Sequence, residues 1–325
     1  MKIEDLHFDL PTKPVDENTW DQEKWRNENP MDYFKALYLI LSAPDRFPGI
    51  ARDLTMAIAF KNLYNVIRLY IPTTLYKFYS LTDDVILNGQ KLSTLRNKQV
   101  YMSAISDFND PFDGKAFYYD PKSLAGIKHL QEHGGRLIDD FTAFNRGTAF
   151  TENDTSCMPM WAHYSNNHRG YCVAYDMKAP ENLALSSSTF PIQYTDQRPD
   201  ITSYMKKYAE MVSEEADRQI VQGNVEILLK DMSIVYLAVF LCNIKQRTWQ
   251  YEKEFRCTVA ANAEGMPYVT AVPKAIYVGM NCSEKNRDEL VLIARQLSVP
   301  IYQMKLDELS ENYVLVERPL DACGQ

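Results

Sequence analysis

From Leu75 onward the chain is written in short apolar or alternating runs of strand length, with helical stretches between them in no regular order. This order limits the fold more than any other feature. LYKFYS (75–80), QVYMSAI (99–105), residues 146–151, YCVAYD (171–176), FPIQYTD (190–196), YEKEFRCTVA (251–260), KAIYVG (274–279) and VPIYQMKL (299–306) read as strands. Residues 83–95 read as a helix or turn, and residues 158–166, most of 201–243 and 283–297 as helices. Residues 124–144 are helix-like, although Gly134 and Gly135 weaken that stretch. A doubly wound parallel sheet needs strands and helices in strict alternation, which is not found. The order predicts an α+β domain with a mixed, mainly antiparallel sheet and flanking helices.

The first 72 residues have a different texture. Pro11, Pro14 and Pro30 break a polar stretch that reads as an arm or a short helix around Trp20 and Trp25. Pro30 can open a helix over 31–41 that stops before Pro44. A second helix over about 50–69 puts Leu54, Ile58, Leu63, Val66 and Ile67 near one stripe, and Pro72 ends it. The division predicted is a helical extension, 1–72, and an α+β domain, 73–325. The aromatic load of the extension (Tyr33, Phe34, Tyr38, Phe60, Tyr64) suits packing against the body or a face for a protein partner.

Composition excludes several classes. Lys and Arg number 35 against 43 Asp and Glu, a formal charge of −8, so a general nucleic-acid coat is not expected. There are 12 glycines and no GxGxxG or GxxxxGK[ST] sequence, which removes the common phosphate-cradling loops. The six cysteines (157, 172, 242, 257, 282 and 323) include no CxxC pair, which disfavours a zinc ribbon or a dense disulfide scaffold and fits a reducing cytoplasm. The N-terminus has acids where a signal peptide would have an apolar core. The longest apolar stretch, SIVYLAVFLCNI (233–244), falls short of the roughly 20 residues a membrane span needs. Bracketed by Lys230 and Lys245, it reads as a buried helix or central strand.

Three segments could carry chemistry. In YEKEFRC (251–257) the period of a strand puts Glu252, Glu254 and Arg256 on one face, with Tyr251, Phe255 and Cys257 on the other. Two carboxylates and a guanidinium suit a cleft floor, where one acid binds a hydroxyl or orients a nucleophile, or they make ordinary ion pairs on an exposed face. SDFNDPFDG (106–114) gathers Asp107, Asn109, Asp110 and Asp113 around Pro111, either as a structural turn or as a loop that holds substrate. MPMWAHYSNNHRGYCVAYD (158–176) carries His163 and His168. Trp161 and Tyr164 there share a helix face, which makes core packing their ordinary role. No zinc pattern, HExxH or nucleophile elbow is present, and no metal is expected.

In this order these segments resemble a bacterial family known as domain of unknown function 2971. LYKFYS resembles its opening strand and QVYMSAISDFNDPFDG (99–114) its second strand and FNDPF loop. MWAHYSNNHRGYCVAYD (160–176) resembles its W-x-x-Y…G block, PIQYTD (191–196) its short strand, and WQYEKEFR (249–256) its W-x-YEKE-[WF]-R signature. Phe255 stands where the family more often has Trp. The likeness covers roughly residues 73–305 and leaves the helical start outside.

The block order is also similar, at greater distance, to the ADP-ribosyltransferase plan. That likeness implies NAD as cofactor, with Lys77 or Tyr79 on the first strand and Ser103 on the second. Glu254, with Glu252 beside it, would stabilise an oxocarbenium-like ribose. Asn109, Asp110, His163 and Arg256 would complete the cofactor site. Lys77 stands where the plan usually has His or Arg. Three readings follow: an NAD-using transferase of toxin or anti-phage type acting on a macromolecular acceptor; a non-catalytic nucleotide-sensing or partner-binding module; and a metal-dependent hydrolase using Asp110, Asp113 and His163.

Overall fold

The computed structural model describes residues 8–13, 20–136, 145–224, 226, 233–260 and 267–320. Its centre is an α+β arrangement built on a nine-stranded sheet among the described residues. The strands are β1 (Thr74–Tyr79), β2 (Gln99–Tyr101), β3 (Ser103–Ala104), β4 (Asn145–Thr151), β5 (Tyr171–Asp176), β6 (Thr189–Pro191), β7 (Gln193–Thr195), β8 (Ile244–Gln246), β9 (Glu254–Ala260), β10 (Tyr268–Thr270), β11 (Pro273–Val278), β12 (Ile301–Leu306) and β13 (Leu315–Pro319). The main order is β13-β12-β11-β5-β1-β4-β9-β6, with β3 also on β4. Every pair in this sheet is antiparallel except β11 with β12. β2 pairs with β10, and β7 runs parallel to β8.

The helices are α1 (Gln22–Glu28), α2 (Tyr33–Arg46), α3 (Arg52–Tyr70), α4 (Val85–Arg96), α5 (Met158–Tyr164), α6 (Leu183–Ser187), α7 (Thr202–Val221), α8 (Ser233–Leu241) and α9 (Glu284–Leu297). Short polar side chains set several starts. Asp32 accepts from the N–H groups of Phe34 and Lys35, Asp84 from Leu87, and Ser283 from Asn286. No helix among the described residues is long and apolar enough to cross a membrane.

Three apolar cores divide the molecule. Leu92 and Leu95 of α4 and Leu290 and Ile293 of α9 cover one sheet face with Phe150, Val173, Tyr175, Phe255 and Cys257. Met160 and Trp161 of α5 cover the other face with Phe78, Cys172, Ala174 and Met304. The third core joins Tyr33, Leu37, Ile40 and Leu41 of α2 and Leu63 and Ile67 of α3 to Tyr204, Leu237, Phe240 and Phe190. α2 and α3 therefore share one interior with α7, α8 and Phe190. The stretch around 233–244 is a helix to Leu241 and turns to strand at Ile244.

Several elements depart from the sequence expectation. α2 runs through Pro44, which forfeits the hydrogen bond its position would make to Ile40 O, and the helix ends two residues later at Arg46. Leu54, expected on the buried stripe of α3, is exposed, while Thr55, Met56 and Ala59 are buried. The run 99–105 is two strands, since the chain changes partner at Met102, whose N–H donates to Pro267 O at 2.7 Å. Residues 190–196 likewise split into β6 and β7. The described part of 124–144 is 3-10 helix over Lys128–His133, closed by Gly134 in the left-handed region (φ 59°), and residues 137–144 lie outside the described residues. β8, β10 and β13 had no counterpart in the sequence reading.

Candidate functional site

The strand carrying the paired acids starts at Glu254. Residues Arg247–Glu252 form a 3-10 helix, and Lys253 between the two has φ 44°, a left-handed conformation that costs a non-glycine residue energy. Glu252 and Glu254 leave different elements and still converge, because Lys245 of β8 lies between them. Its Nζ donates to Glu252 Oε2 at 2.7 Å and to Glu254 Oε2 at 3.0 Å. Arg256, two residues along β9, donates through Nε to Glu254 Oε1 at 2.9 Å and through Nη1 to Cys242 O at 2.7 Å. Its Nη1 also lies 3.0 Å from Asp113 Oδ1, and the Phe108 ring lies against the guanidinium at 4.6 Å. Tyr164 of α5 donates its hydroxyl to Glu252 Oε1, and Asn109 Nδ2 reaches the Tyr164 oxygen at 3.5 Å.

This is a buried chain of three carboxylates (Asp113, Glu252, Glu254) and two cations (Lys245, Arg256), with Arg256 fully buried. Burial pushes the Glu254 carboxyl up, but Arg256 and then Lys245 outweigh it and hold its pKa below the ordinary value. Burial raises Glu252, Lys245 opposes it, and the neighbouring Glu254 adds to the rise, so its pKa ends above the ordinary value. Asp113 is raised in the same way, first by burial. Lys77, at the same cavity, adds a third cation whose charge Glu254 also feels. Glu254 is held between two cations, and Glu252 is the raised acid of the chain that lines the cavity.

Glu252, Glu254, Lys245, Tyr164 and Asn109 line an inner cavity of about 90 Å3, walled also by Tyr76, Phe78, Phe108 and Met160. A larger outer cavity of about 730 Å3 is lined by Lys77, Tyr79, Gln90, Lys91, Thr94, Tyr101, Ser103, Phe108, Thr148 and Tyr268, among others. Lys77, Phe108 and Ala149 belong to both. The two meet because the sheet parts between β1 and β4, which pair only at Tyr76 and Thr151. Beyond that row β1 continues on β5, while β4 stays with β9 and β3. Lys77 reaches into the gap and donates to Ala149 O at 3.1 Å.

The outer cavity has two lysines and no carboxylate in its wall. Lys91 is held by Ser80 O at 2.7 Å and Ser80 Oγ at 2.9 Å. Tyr101 and Tyr268 face each other across β2 and β10 with ring centroids 5.5 Å apart, both more than two-fifths exposed. Burial depresses both lysines, Lys77 to about 8.

Of the residues singled out from sequence, Glu252, Glu254, Asn109 and Lys77 line the inner cavity, and Tyr79 and Ser103 line the outer one with Lys77. Arg256 lies behind Glu254 and lines neither. Asp110 is buried and accepts from Phe112 N at 2.9 Å, so it serves the turn. His163 is exposed beside Tyr164 and Tyr251 and lines neither cavity. Asp110, Asp113 and His163 do not form a ligand set; among the described residues no three His, Cys, Asp or Glu could hold a metal ion. Tyr164, expected as core packing with Trp161, turns to the acids, whereas Trp161 is fully buried and donates to Thr155 O at 2.8 Å. Lys245, Lys91, Tyr101 and Tyr268 had no signal beyond their residue type. Lys245 stood out only as the charge closing an apolar run.

By backbone register Tyr76, Thr151 and Glu254 lie in one row across β1, β4 and β9, so Lys77 projects to the opposite face from Glu254. The transferase plan asks for both on one side of one bound cofactor. No curated protein and no solved structure matches the chain, so the likeness to ADP-ribosyltransferases finds no support there. Residues 160–257 match the model of a family described as protein of unknown function, DUF2971, which supports the family resemblance read from the sequence. The matched segment runs from α5 into β9 and carries Tyr164, Lys245, Glu252, Glu254 and Arg256; over it the chain is similar to DUF2971.

Proposed function

We propose that the protein binds an anionic small molecule bearing a planar ring, of the nucleotide class, in the outer cavity between β1 and β4. The observation that carries this reading is the cavity wall, where Lys77 and Lys91 meet Tyr79, Tyr101 and Tyr268 with no carboxylate, in a chain of net charge −8. Cations in a low-dielectric recess attract phosphate, and half-exposed tyrosines offer flat surfaces to a base. No glycine-rich loop is needed, because the donors are side chains on strands and a helix. NAD is the first member of the class to test, alongside ADP, AMP and inorganic pyrophosphate. Thermal shift and calorimetric titration should give saturable binding of at least one nucleotide, weakened tenfold or more by Lys91→Ala. Absence of binding by every nucleotide at millimolar concentration refutes the reading.

A catalytic form of the same reading is favoured by one observation, the placement of Glu252 and Glu254 in the wall of the inner cavity where the gap opens. There Glu252 would exchange a proton with the ligand, and Glu254, ionised between Lys245 and Arg256, would stabilise positive charge developing on a ribose. Nicotinamide release from NAD tests it. Release should fall at least 100-fold in Glu252→Gln with nucleotide binding retained.

A further inference from the structure

The two lysines of the outer cavity differ in their surroundings. Lys91 sits on α4 with a serine hydroxyl and a carbonyl as partners. Lys77 has one hydrogen bond, to Ala149 O, and no ion pair among the described residues. Its ammonium lies 5.3 Å from the Tyr79 ring centroid and 5.7 Å from that of Phe150, in a gap that opens to cavities on both sides. A lysine desolvated among aromatic rings and set near a second cation is the arrangement that frees an amine lone pair near neutral pH.

We propose that Lys77 is a nucleophilic amine that reversibly forms an imine with a small anionic carbonyl compound, an aldehyde or 2-oxo acid, whose anionic group is held by Lys91. This goes beyond nucleotide binding and does not depend on it, since it concerns the reactivity of one amine. In the reaction the nitrogen lone pair bonds to the carbonyl carbon. The carbonyl oxygen then leaves as water with the two hydrogens the amine gives up, and C=N replaces C=O. Hydrolysis runs the same steps backwards. The anion is required by the wall, which offers Lys91 beside Gln90, Thr94, Ser103 and Thr148 and presents no carboxylate to repel it. Burial depresses Lys77 to about 8 against the opposing pull of Glu254, and Lys91 adds a smaller push in the direction of burial.

The test uses the full chain with glyoxylate as the carbonyl probe and cyanoborohydride to trap the imine, followed by peptide mapping. Lys77 is expected to be labelled at least tenfold faster than exposed lysines such as Lys35 and Lys122, with a rate that saturates in glyoxylate. Lys77→Arg should lose the fast label and keep the slow labelling elsewhere. Mapping of the wild-type chain decides the matter even if that variant fails to fold. Labelling of Lys77 no faster than the exposed lysines overturns the proposal. Nucleotide titration of the same preparation reads the other proposal separately.

Discussion

Lys77 and Glu254 project from opposite faces of the sheet, yet both contribute to the inner cavity, because β1 and β4 part just past the Tyr76–Thr151 row. Their proximity is felt electrostatically, since Glu254 opposes the depression of the Lys77 pKa. The split in the sheet, rather than any one face of it, forms the site. It also gives the two acids of the YEKE sequence unequal roles.

Glu254 answers two cations and Glu252 one, so neutralising them should not cost the same. Glu254→Gln leaves Lys245 and Arg256 undercompensated in the interior and should cost about 3–5 kcal/mol. Glu252→Gln leaves Lys245 still paired with Glu254 and should cost less, about 1–3 kcal/mol. Urea unfolding of the two variants checks the order; equal losses would contradict it.

Lys77 gives a pH signature. Its folded pKa of about 8 lies below the ordinary lysine value of 10.5. Below pH 8 both states are charged, and the folded chain bears the full cost of burying that charge. Between about pH 8 and 10.5 the unfolded chain holds more protons than the folded one, so this contribution raises stability with pH. Lys77→Met lacks it. The stability of Lys77→Met relative to wild type should therefore be greatest at pH 7 and fall by about 2–3 kcal/mol by pH 10. Tyrosine ionisation is common to both chains and cancels in the difference. Chemical denaturation at four pH values measures it.

The helical start cannot be removed without loss of the fold. Tyr33, Leu37, Ile40, Leu41, Leu63 and Ile67 are buried in one core with Tyr204 of α7 and Leu237 and Phe240 of α8. At about 2 kcal/mol each, losing them exceeds most of the 5–15 kcal/mol by which a domain is stable. A chain beginning at residue 73 should be insoluble or lack a cooperative thermal transition in circular dichroism. Loss of function on such a truncation would therefore say nothing about a partner-binding face.

Gly170 marks the tightest approach near the cleft. A Cβ there would stand 1.8 Å from Tyr79 O, at the start of β5 where it pairs with the end of β1. Gly170→Ala should destabilise by more than about 3 kcal/mol and displace Tyr79, weakening ligand binding as well. A melting temperature within two degrees of wild type would refute this.

Much of the strand and helix content was legible, because β5 and β11 are near-continuous apolar runs of strand length and α9 carries a helical period that starts at Ser283. Boundaries were lost where tertiary pairing overrode the local pattern. Met102 changes partner inside a run that reads as one strand, and Lys253 in the left-handed region ends a 3-10 helix where alternation alone predicts strand. The acids of the site were visible as a motif, and their grouping on one side survived for a different reason, the lysine they share. Lys245 itself was hidden, since a charge closing an apolar run usually lies in water and here is 3% exposed. The lysines and tyrosines of the outer cavity come from β1, β2, β10 and α4, and only the folded chain brings them together.

A crystal structure of the chain soaked with NAD tests the account most directly. Phosphate oxygens are expected within about 4 Å of Lys91 Nζ in the outer cavity, with a ring of the ligand stacked on Tyr101 or Tyr268. An empty outer cavity at saturating NAD, in a chain that titration shows to bind it, would contradict the account, as would density confined to the groove between Arg26 and Arg247.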